Sequence, residues 1–251
     1  MQKKETNSNP VALVTGAARR IGAEIVRKLH EAGYRVVVHC SRSHQEAHAL
    51  VAELNAICSN SAVVLQASLK NEGDAQDLVM RAEAWQSRLD VLVNNASVFV
   101  RTPVQEKVAR SIIEEMWNSN VNVPYWLSES AFPFLVKQRG VIVNLTDIHA
   151  EKPLRGYGIY CQTKAALKMQ TEALAKEYAP HVRVNAVAPG AIAWPEGENI
   201  LADADKASII AKTPLDCHGD PHWIAMAVLA LIQNSFVTGQ TFRVDGGRSL
   251  C

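Results

Sequence analysis

Seven short β-branched runs, most of them rich in valine, isoleucine and leucine, recur along this chain, and longer amphipathic stretches separate them. The runs are VALVT (11–15), RVVVHC (35–40), AVVLQ (62–66), DVLVN (90–94), GVIVNLT (140–146), VRVNAVA (182–188) and QTFRVD (240–245). A strand that is apolar at nearly every position must be covered on both faces, whereas a half-exposed strand alternates. The intervening stretches, near 20–32, 44–57, 72–87, 109–137, 157–179 and 220–234, read as helices. Strands alternating with helices build βαβ units. The expected fold is therefore α/β, a doubly wound parallel sheet with helices on both faces. The Pro-, Gly- and Ala-rich region near 189–215 is expected to be a mobile loop over a site.

No internal repeat or low-complexity linker divides the chain, so one domain over 11–251 is the economical reading, after a polar tail at 1–10. That tail, MQKKETNSNP, has no apolar core of the kind a signal peptide needs. A formal charge of +1 without like-charge blocks points away from nucleic acid, and no apolar window is long enough for a membrane span. Five cysteines without a CxxC pair suggest neither a disulfide framework nor a zinc site, and the eight histidines show no ligand spacing. A cytoplasmic protein without metal is expected.

The first run leads directly into TGAARRIG, Thr15 to Gly22, which opens a helix. Glycine lets a backbone approach a diphosphate closely, and a helix start offers unpaired N–H groups. This context makes the fold Rossmann-type, with Thr15, Gly16, Arg19, Arg20, Ile21 and Gly22 as candidate cofactor residues. After the second run, where an NAD-binding fold carries a ribose-binding acid, the chain reads HCSRS (39–43). Arg42 can pair with a 2′-phosphate and Ser43 can donate to it, which favours NADPH. His39 joins them as a candidate cofactor residue.

Tyr160 and Lys164 are four apart and share one helix face. A nearby ammonium stabilises phenolate, so Lys164 is expected to bring the Tyr160 pKa down towards neutrality and make it a proton donor and acceptor. A Tyr-x-x-x-Lys pair alone is weak evidence. Its partners along the chain give it weight.

Thr15–Gly16 through Gly22, NNAS (94–97), Asn120, Tyr160 with Lys164, and the ending TGQTFRVDGG (238–247) together resemble the short-chain dehydrogenase/reductase superfamily. The resemblance spans Val11 to Gly247. It implies a catalytic set of Asn, Ser, Tyr and Lys, with the serine thirteen residues before the tyrosine; here that position is Asp147. The middle glycine of TGxxxGxG is Arg20, and NNAS is followed closely by Phe99. With HCSRS and PLRGYGIY, these departures resemble the pteridine reductases, a group that includes bacterial dihydromonapterin and dihydrofolate reductases.

That resemblance implies an NADPH-dependent reductase of a small pterin, with Asp147, Tyr160, Lys164 and Asn120 as catalytic residues. Reducing a C=N bond puts hydride on carbon and a proton on nitrogen, and a carboxyl is a better proton source for nitrogen than a serine hydroxyl. Phe99 would stack on the pterin, Arg20 would bond a phosphate and the pterin edge, and Ser97 and Trp194 would border the substrate. Asn120 would help hold Lys164 through water, while Asn94 would fix the backbone of the cofactor loop. Ser68 stands where the family often has an adenine-contacting aspartate, and Leu69, Asn95, Ala96, Pro189 and Gly190 complete the implied cofactor site. A homotetramer is also implied. Each residue has a plainer reading as well. Asp147 can cap a turn, Phe99 can be core, Arg20 can lie on a helix surface, and His149 and Pro195 can be ordinary loop residues. A ketone reductase and a non-catalytic NADPH-binding regulator are the rival functions.

Overall fold

A computed structural model of the protein describes residues 9–105, 107–194 and 202–251. All seven expected strands form: β1 (Val11–Val14), β2 (Arg35–Cys40), β3 (Ala62–Gln66), β4 (Val91–Asn94), β5 (Val141–Leu145), β6 (Arg183–Pro189) and β7 (Thr241–Val244). They make one sheet in the order β3-β2-β1-β4-β5-β6-β7, and every neighbouring pair is parallel.

The helices among the described residues are α1 (Arg20–Glu31), α2 (His44–Ile57), α3 (Glu72–Gln86), α4 (Arg110–Trp117), α5 (Val123–Gln138), α6 (Gly158–Tyr178), α7 (Asp203–Ala211) and α8 (Pro221–Gln233). Successive strand side chains point to opposite faces, so each strand feeds two cores. Ala12 and Val14 of β1 and Val36 and Val38 of β2 pack with residues of α1, α2 and α8. Val11, Leu13 and Val37 pack on the other face with α3, α5 and α6. Burial on both sides is why these strands carry no polar alternation.

Two expectations need correction. The single helix expected over 109–137 is interrupted by a π-helical turn at Asn118–Asn122, between α4 and α5. Pro124 supplies the reason: it has no N–H, and its ring crowds the carbonyl four residues back, which belongs to Asn120. The region near 189–215 is not simply a loop, because α7 occupies Asp203–Ala211. Asp203 and Asp205 lie in its first turn, where acidic groups favour a helix start. Pro195 and residues 1–8 of the polar tail lie outside the described residues.

Candidate active site

The strand order places the site. From β1 the chain winds outward through β2 and β3, then crosses back to β4 on the other side of β1. Such a reversal opens a crevice at the carboxyl ends of the strands, where α/β sheets bind ligands. The Thr15–Gly22 turn leaves β1 here, Asn95–Ser97 leave β4, Asp147 follows β5 and Gly190 follows β6.

The glycine turn is held tightly. Thr15 Oγ1 accepts from the N–H groups of Asn95 and Ala96 at 3.0 and 3.1 Å. Asn95 Nδ2 donates to the carbonyls of Thr15 and Gly16 at 2.8 and 3.0 Å. Gly16 has φ +60 and approaches Ala96 so closely that an added Cβ would sit 2.9 Å from its Cα. A Cβ on Gly22 would fall 2.5 Å from the Gly16 carbonyl oxygen. Both positions need glycine for space, and Gly16 also for conformation. Arg20 keeps a left-handed backbone, φ 54, although it is not glycine. Its guanidinium donates to the carbonyls of Ala193 and Trp194, both at 3.0 Å, and so ties the turn to the segment after β6. Arg20→Gly is expected to relieve about 1 kcal/mol of backbone strain while freeing that segment. Thermal melting should therefore show little or no loss of stability; a marked loss would mean the tie dominates.

At the other wall, Tyr160 Oη donates to Asp147 Oδ2 at 2.7 Å. Asp147 Oδ1 accepts from the His149 N–H at 2.8 Å and starts the short 3-10 turn Ile148–Ala150. Asp147 is thus both a turn cap and the partner of Tyr160. Lys164 Nζ donates to the Leu145 carbonyl at 2.8 Å and stands 5.7 Å from the centre of the Tyr160 ring. Both side chains are buried, Tyr160 at 5% and Lys164 at 2% exposure. Burial, reinforced by the Asp147 charge and hydrogen bond, pushes the Tyr160 phenol well above its usual pKa of 10. The expectation that Lys164 would lower it is therefore corrected: loss of solvent and a nearer carboxylate outweigh the ammonium. Tyr160 is a neutral phenol that carries a proton. Burial also pushes Lys164 down to about 8, opposed by Asp147.

Asn120 makes four hydrogen bonds from one side chain. Its Oδ1 accepts from Ser97 Oγ and the Val98 N–H at 3.1 and 2.8 Å, and its Nδ2 donates to the Val98 carbonyl and Thr163 Oγ1 at 2.9 and 3.0 Å. It joins the loop after β4 to the helix that carries Tyr160 and Lys164. Phe99 lies flat on Tyr157, with centroids 4.4 Å apart and planes at 8°, and meets Tyr160 edge-on at 4.7 Å.

The profile of the family described as short chain dehydrogenase matches residues 10–204. The chain belongs to that family. It is also 36% identical to a putative ketoacyl reductase 2 of the granaticin polyketide synthase from Streptomyces violaceoruber, over 245 residues and 96% of both chains. It is 34% identical to pteridine reductase 1 from Leishmania tarentolae over 280 residues, again 96% of each. A 3-oxoacyl-[acyl-carrier-protein] reductase from Synechocystis sp. is 34% identical over 242 residues, covering 94% of this chain and 96% of that one.

This short-chain dehydrogenase is thus an oxidoreductase of the NAD(P)-dependent type. Its structure gathers Asp147, Tyr160 and Lys164 into one group and Ser97, Asn120 and Thr163 into the next. Arg42 is exposed just before α2, whose first position is capped by Ser43 without a side-chain hydrogen bond. Ser68 is exposed after β3, and the Leu69 carbonyl accepts from Asn118 Nδ2 at 3.4 Å. Pro189 pairs with Val244, and Gly190 donates to the Val244 carbonyl at 3.0 Å. Ile21 packs against the core below α1.

Asn94 does not fix the cofactor loop. It is buried and donates to Asn144 Oδ1 at 2.9 Å, while its neighbour Asn95 holds Thr15 and Gly16. Adjacent side chains at a strand end point opposite ways, and only one of the two can face the turn. Sequence reasoning missed Tyr157, whose signal was its spacing of three from Tyr160, and His218, which stacks on Trp194 at 4.1 Å. His218 is 24 residues from Trp194 and had no local signal.

Proposed function

We propose that this enzyme reduces a pterin or dihydropterin with NADPH, and the observation that carries this reading is the 2.7 Å bond between Tyr160 Oη and Asp147 Oδ2. Both a ketone and a C=N bond take a proton on the heteroatom as the carbon takes hydride; a hydroxyl suffices to polarise a ketone oxygen, whereas a ring nitrogen is better served by a carboxyl acid. A carboxylate joined to a neutral phenol forms a two-group proton relay. Tyr160 Oη hands its proton towards the ring nitrogen, and Asp147, half-buried at the site's edge and bonded to that oxygen, passes a proton in from solvent as Tyr160 gives its own up, so that neither group is left with an uncompensated charge. NADPH, when bound, supplies the hydride.

The residues present fit that cofactor. The crowding at Gly16 and Gly22 leaves the turn backbone bare for a diphosphate, and exposed Arg42 with Ser43 heads α2, where a 2′-phosphate can be paired. Lys164 holds the nicotinamide ribose. The Phe99 ring stacks on the flat substrate and Arg20 bonds its polar edge, with Ser97 and Trp194 at its border.

The ketoacyl reductases among the relatives support a second reading, reduction of a ketone with Asp147 tolerated in the serine position. NADPH oxidation followed by absorbance decides between the two, with dihydrobiopterin, dihydromonapterin and dihydrofolate set beside a panel of ketones. Pterin-dependent oxidation is expected, with NADPH preferred over NADH and the preference lost in Arg42→Ala. Ketone turnover without pterin turnover overturns the reading.

A homotetramer in the cytoplasm is part of the same proposal. Two exposed apolar sets support assembly: Tyr125 and Met169 on α5 and α6, and Trp223, Met226 and Phe242 on α8 and the edge strand β7. Light scattering should give four subunits; a monomer at micromolar concentration overturns it.

A further inference from the structure

The glycine turn is gripped from a second side, by His39 at the end of β2. The Ala17 N–H donates to the His39 carbonyl at 2.9 Å. The Gly16 N lies 3.2 Å from His39 Nδ1, and His39 Nε2 lies 3.2 Å from the Ala67 carbonyl oxygen. A backbone N–H can only donate and a carbonyl can only accept, so the ring's tautomer is set: Nδ1 accepts from Gly16, and Nε2 carries the hydrogen that goes to Ala67. The side chain is 3% exposed. Burial pushes the imidazole down to about 4, with the Arg81 charge on α3 acting in the same direction, so the ring is neutral at physiological pH. Both ring nitrogens are spent inside the fold.

We propose that His39 is a positioning residue for the cofactor: through the Gly16 N–H its neutral ring sets the shape of the turn on which the diphosphate rests, without touching the dinucleotide. Glycine visits both signs of φ readily, so a turn hinged at Gly16 needs partners to hold φ at +60. Asn95 holds the carbonyl of Gly16 from β4, and His39 holds its N–H from β2. Losing either partner lets the peptide rotate and leaves a partly buried donor or acceptor unmatched. This role rests on the reading that the turn binds a nicotinamide dinucleotide.

Three substitutions separate the two ring nitrogens. In His39→Asn, Oδ1 stands as many bonds from the backbone as Nδ1 and can still accept from Gly16. In His39→Gln, Nε2 stands where the ring Nε2 was and can still donate to Ala67, but nothing accepts from Gly16. His39→Leu loses both. Dissociation constants for NADPH and NADH would be read by the quenching of protein fluorescence, beside melting temperatures. The expected result is Asn within about threefold of wild type, and Gln and Leu weaker by about tenfold or more. Rescue by Gln with failure of Asn would show that His39 matters as a brace between β2 and β3, and would overturn the role. Wild-type affinity in Leu would overturn it as well. If Leu fails to fold, the Asn and Gln pair still decides. Failure of the wild-type protein to bind either dinucleotide would overturn the cofactor reading, and this role with it.

Discussion

Asp147→Ser is expected to lower kcat/KM for a dihydropterin by roughly 10²- to 10⁴-fold, the range over which a positioned acid or base acts. Tyr160 would lose its 2.7 Å acceptor, and the proposed relay to a substrate nitrogen would be broken. The fold should tolerate the change. Serine can still cap the Ile148–Ala150 turn through its hydroxyl, so the stability lost should stay below about 1 kcal/mol. NADPH affinity should be unchanged, because Asp147 follows β5 whereas the glycine turn and Arg42 follow β1 and β2. Removing the carboxylate also removes the second cause of the raised Tyr160 pKa, so the phenol should ionise at lower pH in the variant. Single-turnover kinetics with preloaded NADPH would separate chemistry from binding. Pterin turnover equal to wild type would refute the role of Asp147, and a gain in ketone turnover would favour the second reading.

Lys164→Met is expected to make the protein more stable and nearly inactive. The ammonium is 2% exposed, and its pKa falls from the usual 10.5 to about 8. A gap of that size corresponds to about 3 kcal/mol against the charged form. Since the folded pKa is the lower, the folded state binds fewer protons than the unfolded chain between about pH 8 and 10.5. Stability therefore rises with pH across that window, and the full cost is present below it. Methionine fills a similar volume without charge but leaves the Leu145 carbonyl without its donor, which returns about 1 kcal/mol. The net gain at pH 7 is about 2 kcal/mol, or roughly 4–8 °C in Tm for a chain this long. Denaturant unfolding of both proteins at pH 7 and pH 10 would check it: the gap should narrow at the higher pH. A variant less stable than wild type at pH 7 would show that the Leu145 bond outweighs the burial. Turnover should drop by about 10²-fold or more, since the charge beside Tyr160 and the proposed hold on the ribose are lost together.

The parts legible in the sequence share one property: their cause lies within a few residues of their effect. The Val-rich β2 and β5 announced a sheet covered on both faces, because burial writes itself into consecutive residues. Gly16 and Gly22 announced a close approach, and the Tyr160–Lys164 spacing of one helical turn put both side chains on one face. Even the π-helical turn had a local cause in Pro124, although apolar periodicity ran straight through it.

Other features arose from residues far apart in the chain. Asn94 and Asn95 are identical in type, and only the direction of β4 against β1 and α5 assigned one to the core and the other to the glycine turn. Arg20 met its carbonyl partners 173 and 174 residues away. The Tyr160 pKa went up rather than down because burial depends on everything packed around α6, not on the lysine four residues on. Sequence periodicity carried the fold, and the Tyr160–Lys164 spacing put those two side chains on one helix face, because chain geometry repeats locally. Hydrogen-bond partners, tautomers and the direction of each pKa shift came from packing, because desolvation and charge act through space without regard to position in the chain.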